Sequence, residues 1–223
     1  VTLSGVVTVL LTQATAPLEA FAVESGATLL FSNSTDTATW LHATGVTVRA
    51  GGNLSHAMWP PTNGVPAMSG QHAVRVAAET FTVESGAAVD VTARGYPGRP
   101  GRTPRGWGPG GGRDSYATGH SGGGGGHGGI GGEAYSGGAG DAYDDPRHPR
   151  LAGSGSCGGT TVTAHGGHGG GVIHIEATNV VVLGAIKANG GNYLVGGSHP
   201  GAGAGGTIAI YCSTLEGNGS LQA

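Results

Sequence analysis

Gly171-Val-Ile-His-Ile-Glu-Ala-Thr-Asn-Val180 and Gly206-Thr-Ile-Ala-Ile-Tyr-Cys-Ser-Thr-Leu215 are one string written twice at an offset of 35. The register continues without a gap to Ala188 and Ala223, so that Ile173, Ile175, Val180, Gly184, Ile186 and Ala188 meet Ile208, Ile210, Leu215, Gly219, Leu221 and Ala223. Working outward, Ala73-Val-Arg-Val76 followed by Phe81-Thr-Val-Glu-Ser-Gly-Ala-Ala-Val-Asp-Val91 repeats the string loosely. Phe21-Ala-Val-Glu-Ser-Gly-Ala27 matches Phe81 to Ala87 almost letter for letter. Four copies of one string indicate a repeat architecture.

Each copy reads as two short strands. One alternates apolar and polar residues (Val172 to Ile175), and the next runs from Val180 through Gly184 to Ala188, with Gly and Asn as punctuation. Units of this kind stack Val on Val and Ile on Ile in parallel ladders. The expectation is an all-β chain folded as a parallel β-solenoid, with rungs over 1–94 and 172–223 and a glycine-rich insertion over 95–171. An antiparallel sandwich also alternates, but it does not require one string to recur in register.

Composition agrees with strands and disfavours helix. Of 223 residues 49 are glycine, and each glycine in a helix costs about 1 kcal/mol relative to alanine. Only 10% of residues are charged, the net charge is −3, and Lys187 is the sole lysine. Nucleic acid is therefore not an expected partner, since no basic surface is available to neutralise phosphates. No apolar run approaches the roughly 20 residues that span a bilayer.

The segment from Gly95 to Gly171 contains the unbroken run Gly122 to Gly126. Glycine recovers its large ordering entropy only through dense backbone hydrogen bonding, which predicts extended or polyproline-II-like strands packed on the rungs. Collagen is excluded because glycine keeps no strict three-residue spacing. The motifs Gly122-Gly-Gly-Gly-Gly-His-Gly-Gly-Ile-Gly-Gly132, Gly153-Ser-Gly-Ser156, Gly169-Gly-Gly-Val-Ile-His-Ile175, Gly184-Ala-Ile-Lys-Ala-Asn-Gly-Gly191 and Gly203-Ala-Gly-Gly-Thr-Ile-Ala-Ile210 follow one another in order, with Pro149 between the first two. Together they resemble the glycine-rich, β-solenoid-like repeat segments of large extracellular and cell-surface proteins, over roughly Phe81 to Ala223. That resemblance implies a surface or matrix role and no known active site.

Asn33-Ser-Thr, Asn53-Leu-Ser and Asn218-Gly-Ser are N-glycosylation acceptors, with Asn33 and Asn53 in expected loops and Asn218 nearer a strand. An extracellular setting would pair Cys157 with Cys212, the only thiols. Gly140-Asp-Ala-Tyr-Asp-Asp-Pro-Arg-His-Pro-Arg150 concentrates charge, and Asp141, Asp144 and Asp145 read as an ion-pair loop with Arg147 and Arg150 or, failing that, as a calcium loop. His120, His127, His165 and His168 lack carboxylate or cysteine partners at fixed spacing, so they predict hydrogen bonding to bare backbone, and no metal site or cofactor is expected. Arg94, Arg99, Arg102, Arg105 and Arg113, with Trp107 and Tyr96, suit either sugar stacking or packing over backbone.

These readings predict a non-catalytic extracellular structural glycoprotein, a protomer or segment of a fibre, wall or surface appendage. No catalytic residue is expected. Strand-like sequence at both Val1 and Ala223 predicts head-to-tail self-association into a filament. The competing function is a β-helix that binds or cleaves polysaccharide.

Overall fold

The computed structural model describes residues 1–5, 8–11, 16–32, 39–58, 72–100, 103–114, 121–135, 137–159, 164–192 and 199–223. Twelve strands account for its regular structure: β1 (Thr2–Leu3), β2 (Thr8–Leu11), β3 (Leu18–Val23), β4 (Thr28–Phe31), β5 (Leu41–Val48), β6 (Asn53–His56), β7 (Val74–Val83), β8 (Ala88–Asp90), β9 (Val172–Val182), β10 (Ala185–Lys187), β11 (Thr207–Glu216) and β12 (Ser220–Gln222). Odd-numbered strands form one six-stranded sheet in chain order and even-numbered strands form the other, and every pairing is parallel.

The all-β expectation and the parallel ladders agree with this arrangement, but the parallel β-solenoid is corrected. The strands lie in two flat sheets, and no solenoid is formed. The reason is in the connections. From odd to even strands the chain uses short, similar turns at residues 24–27, 49–52 and 84–87, whereas the returns from even to odd strands run from residues 12–17 up to 91–171. With strands on two faces only and returns of such unequal length, no uniform coil closes.

Flat multi-stranded sheets need side-chain ladders to hold them, and the repeat supplies them. Phe21, Val46, Phe81, Val180 and Leu215 follow one another across the odd sheet in register. Leu29, Leu54, Val89, Ile186 and Leu221 do so across the even sheet. The inward residues of both sheets merge into one apolar core that includes Val23, Phe31, Val48, Val83 and Ile175. The offset of 35 is the pairing register itself, with Val172 opposite Thr207 and Ala185 opposite Ser220. Phe21 and Phe81, by contrast, are two rungs apart, and Val46 lies between them.

Each short turn places glycine at the same point with positive φ: Gly26 at 75°, Gly51 at 78° and Gly86 at 80°. An L side chain there would be strained. The turns are stitched to one another, Gly26 N–H donating to Gly51 O at 3.0 Å and Gly51 N–H to Gly86 O at 3.0 Å.

Between β8 and β9 the chain leaves the stack and returns, and β9 then pairs directly with β7. The intervening segments form a glycine layer whose hydrogen bonds repeat every third residue. Gly153 and Ser156 donate to Gly170 and Gly167 and accept from Tyr96 and Arg99. Ser154 and Cys157 accept from Ala204 and Gly201, while Gly155 donates to Trp107 and accepts from Gly112. Three faces used in rotation are the period of polyproline II rather than of a strand. The layer also takes in residues 199–206, which the sequence reading assigned to rungs.

Candidate functional site

The outward face of the odd sheet carries a groove of about 440 Å³ lined by Trp40, Arg75, His148, Arg150, Val172, His174, Glu176 and Tyr211. Alternation puts these residues there. On β9 the inward Ile173 and Ile175 are fully buried while His174 is half-buried and Glu176 exposed, and Arg75 on β7 stands opposite His174 in the pairing register. Tyr211 on β11 stands opposite Glu176, and Trp40 immediately precedes β5. The His174 ring centroid is 5.2 Å from that of Trp40 and 5.2 Å from that of Tyr211, with interplanar angles of 58° and 47°. Three tilted rings thus form a row across the sheet, its far end marked by Tyr211 at 44% exposed.

The charges are unevenly engaged. His174 Nε2 is buried, 3.4 Å from Glu176 Oε1 but not aligned for a hydrogen bond. Burial lowers the His174 pKa, Glu176 opposes that shift, and Arg75 and Arg150 reinforce it. Among the described residues, neither the Arg75 nor the Arg150 guanidinium has an ion-pair or hydrogen-bond partner.

Arg150 and His148 reach the groove from the charged loop, which Asp144 organises. Asp144 has φ of 71°, and its carboxylate accepts N–H bonds from Asp145, Arg150 and Leu151 at 2.9, 2.8 and 2.8 Å, with His127 Nε2 at 3.3 Å. Burial pushes this carboxyl up, but the backbone donors outweigh it and hold the group below its usual range. Thr207 Oγ1–H donates to Leu151 O at 2.7 Å and fastens the loop to β11. Asp145 accepts from Arg147 N–H at 2.9 Å.

The expected pairing of these aspartates with the Arg147 and Arg150 side chains is therefore corrected. Asp144 and Asp145 serve backbone N–H groups and, beside them, His127 Nε2 and His148 Nδ1, each at 3.3 Å, so that Asp145–His148 is the one pair internal to the loop among the described residues. Asp141 instead pairs with Arg105 at 3.1 Å and Arg113 at 2.5 Å, both outside the loop. No group of three or more His, Cys, Asp or Glu able to hold a metal ion occurs among the described residues.

The disulfide is corrected as well. Cys157 is buried in the glycine layer, where burial pushes its thiol up to about 11, and Cys212 is exposed on β11; both are free. Asn53 is not in a loop: it begins β6, and its Oδ1 is buried without a hydrogen-bond partner. Asn218 is exposed in the turn between β11 and β12, while Asn33 and His120 lie outside the described residues.

The arginine cluster is consumed internally. Arg99 stacks over the Trp107 ring at 3.6 Å, Arg94 donates to His56 O at 2.9 Å, Tyr96 is buried, and Arg102 lies outside the described residues. The sequence reading missed the groove. Its signal was the outward parity of Arg75, His174 and Tyr211 on paired strands, which becomes visible only once the pairing is known. Comparison of the chain with protein-family models, with curated proteins and with solved structures returned no match.

Proposed function

We propose that this chain is a non-catalytic extracellular structural protein, a protomer or segment of a fibre, wall or surface appendage. The observation that carries this reading is the way the apolar ladders run. Phe21, Val46, Phe81 and Val180 are buried, yet Leu215 in the same ladder is 52% exposed; Leu29, Leu54, Val89 and Ile186 are buried, yet Leu221 is 49% exposed. A further rung in the same register, from a second copy or from a continuation of the same chain, buries both leucines and pairs the edge backbone of β11 and β12. The extracellular setting rests on the acceptor sequence at Asn218, exposed in the turn between β11 and β12. Glycoside cleavage calls for two carboxylates in one site, and among the described residues lining the groove Glu176 is the one carboxylate.

Sedimentation velocity over a concentration series tests the reading. Association that Leu215→Lys with Leu221→Lys abolishes is the expected result. A single species near 21.6 kDa at every concentration refutes the self-association, and release of reducing ends from a polysaccharide refutes the non-catalytic role.

A further inference from the structure

The groove on the odd sheet goes beyond a structural role. Its aromatic row is continuous, since Trp40 and Tyr211 each lie 5.2 Å from the ring of His174 between them. Trp40 and His174 are half-buried and Tyr211 is exposed, so the row meets solvent most fully at its Tyr211 end. Beside the row lie two guanidiniums without ion pairs among the described residues, Arg75 from β7 and Arg150 from the loop that Asp144 and Thr207 hold in place. The arginines of the glycine layer offer a contrast within the same molecule. Arg105 and Arg113 spend their charge on Asp141, and Arg99 lies over Trp107.

We propose that this groove binds an acidic polysaccharide, the sugar rings lying along Trp40, His174 and Tyr211 and a sugar carboxylate engaging Arg75 and Arg150. Guanidinium forks match carboxylate geometry, and aromatic faces accept the apolar face of a pyranose. Glu176, exposed at the end of the row, is the acceptor for sugar hydroxyls. The groove runs across strands, drawing on residues of β7, β9 and β11, which suits an extended chain. The protein's net charge is −3, so attraction for an anion has to be local to this site.

Titration calorimetry and His174 ring resonances by NMR test the proposal on the intact chain, with three probes. These are a short oligogalacturonate, a neutral glucose oligomer of the same length, and a polyglutamate that has the charge without the sugar. Oligogalacturonate is expected to bind and to shift the His174 signals. Trp40→Ala and Arg150→Gln are each expected to weaken it about tenfold, the loss of one ring contact or one charge-assisted hydrogen bond. Arg49→Gln, which removes an arginine paired with Glu24 in a turn, is expected to leave binding unchanged. Should Trp40→Ala fail to fold, Tyr211→Ala tests the same row from its exposed end. Equal binding of the neutral oligomer overturns the role of charge. Polyglutamate binding of equal strength and indifferent to the aromatic variants overturns the role of the sugar. Failure of all three probes overturns the site and leaves the self-association test untouched.

Discussion

The strand stack and the glycine layer are two solutions to one problem, the ordering of a chain poor in large side chains. In the stack the side chains carry the load, and residues such as Phe81, Leu54 and Ile173 are fully buried in a shared core. In the layer the backbone carries it. A Cβ on Gly169 would sit 1.7 Å from Gly153 O, and one on Gly170 would sit 1.8 Å from Ala188 O. Neighbouring main chains therefore occupy the space that a side chain would need. The stack tolerates changes of letter that preserve volume, and the layer tolerates changes only where it faces solvent.

The largest effect belongs to the stack. Phe81→Ala removes a fully buried ring from the middle of its ladder and is expected to cost about 3–5 kcal/mol in denaturant unfolding. Gly169→Ala comes next, at about 1–3 kcal/mol, because its methyl meets a carbonyl that cannot rotate away. If that variant proved neutral, the idea of a layer closed by backbone packing would fail.

Acid probes the seam between the two regions. His56 at the end of β6 is buried, its Nε2 accepts the Val172 N–H at 3.2 Å, and a Cβ on Gly171 would come within 2.0 Å of that nitrogen. Burial drops the His56 pKa from 6.5 to about 3, aided by His72, Arg94 and Arg75 and opposed by the hydrogen bond to Ala57 O. Above pH 6.5 both folded and unfolded chains are neutral here, and the contribution to stability is complete. As the pH falls from 6.5 toward 3, the unfolded chain takes up a proton that the folded one refuses. Stability is therefore lost, with a slope of up to about 1.4 kcal/mol per pH unit from this residue. His168 and His174, also lowered by burial, add to the loss with the same sign. Chemical denaturation at a series of pH values is expected to show this slope, and His56→Gln to flatten it.

The smallest effect sharpens the comparison most. Gly128 and Gly129 have nothing within 4 Å of an added Cβ, and alanine at either is expected to change stability by less than about 0.5 kcal/mol. A large cost there would mean that glycine content itself, rather than main-chain contact, holds the layer.

Strands were legible wherever the repeat preserved its letters, as at Ile173 and Ile208. The rung at Val46 to Leu54 was not, because Arg49-Ala-Gly-Gly52 replaces Glu-Ser-Gly-Ala while keeping the positive-φ glycine and the turn. The two-sheet arrangement escaped the reading for a related reason: identical ladders stack in a closed coil and in an open pair of sheets alike, and the returns that distinguish them carry no repeat. Three-fold hydrogen bonding in the glycine layer follows from composition, but its partners do not, since one glycine is like another. The groove draws on Trp40, Arg75, Arg150, His174 and Tyr211, which only pairing brings together.

The direct pairing of β7 with β9 also bears on the order of folding. Val74 meets Ile173 and Phe81 meets Val180, partners about a hundred positions apart, whereas the rungs from β3 to β8 join near neighbours in sequence. Closing so long a loop adds little to the equilibrium cost, about 0.6 kcal/mol for each doubling of length. Its weight falls on kinetics, where contacts of large sequence separation slow the approach to the native state. The N-terminal rungs are thereby expected to form as an early template and the seam at β9 to close last, an order that pulsed hydrogen exchange during refolding would read directly.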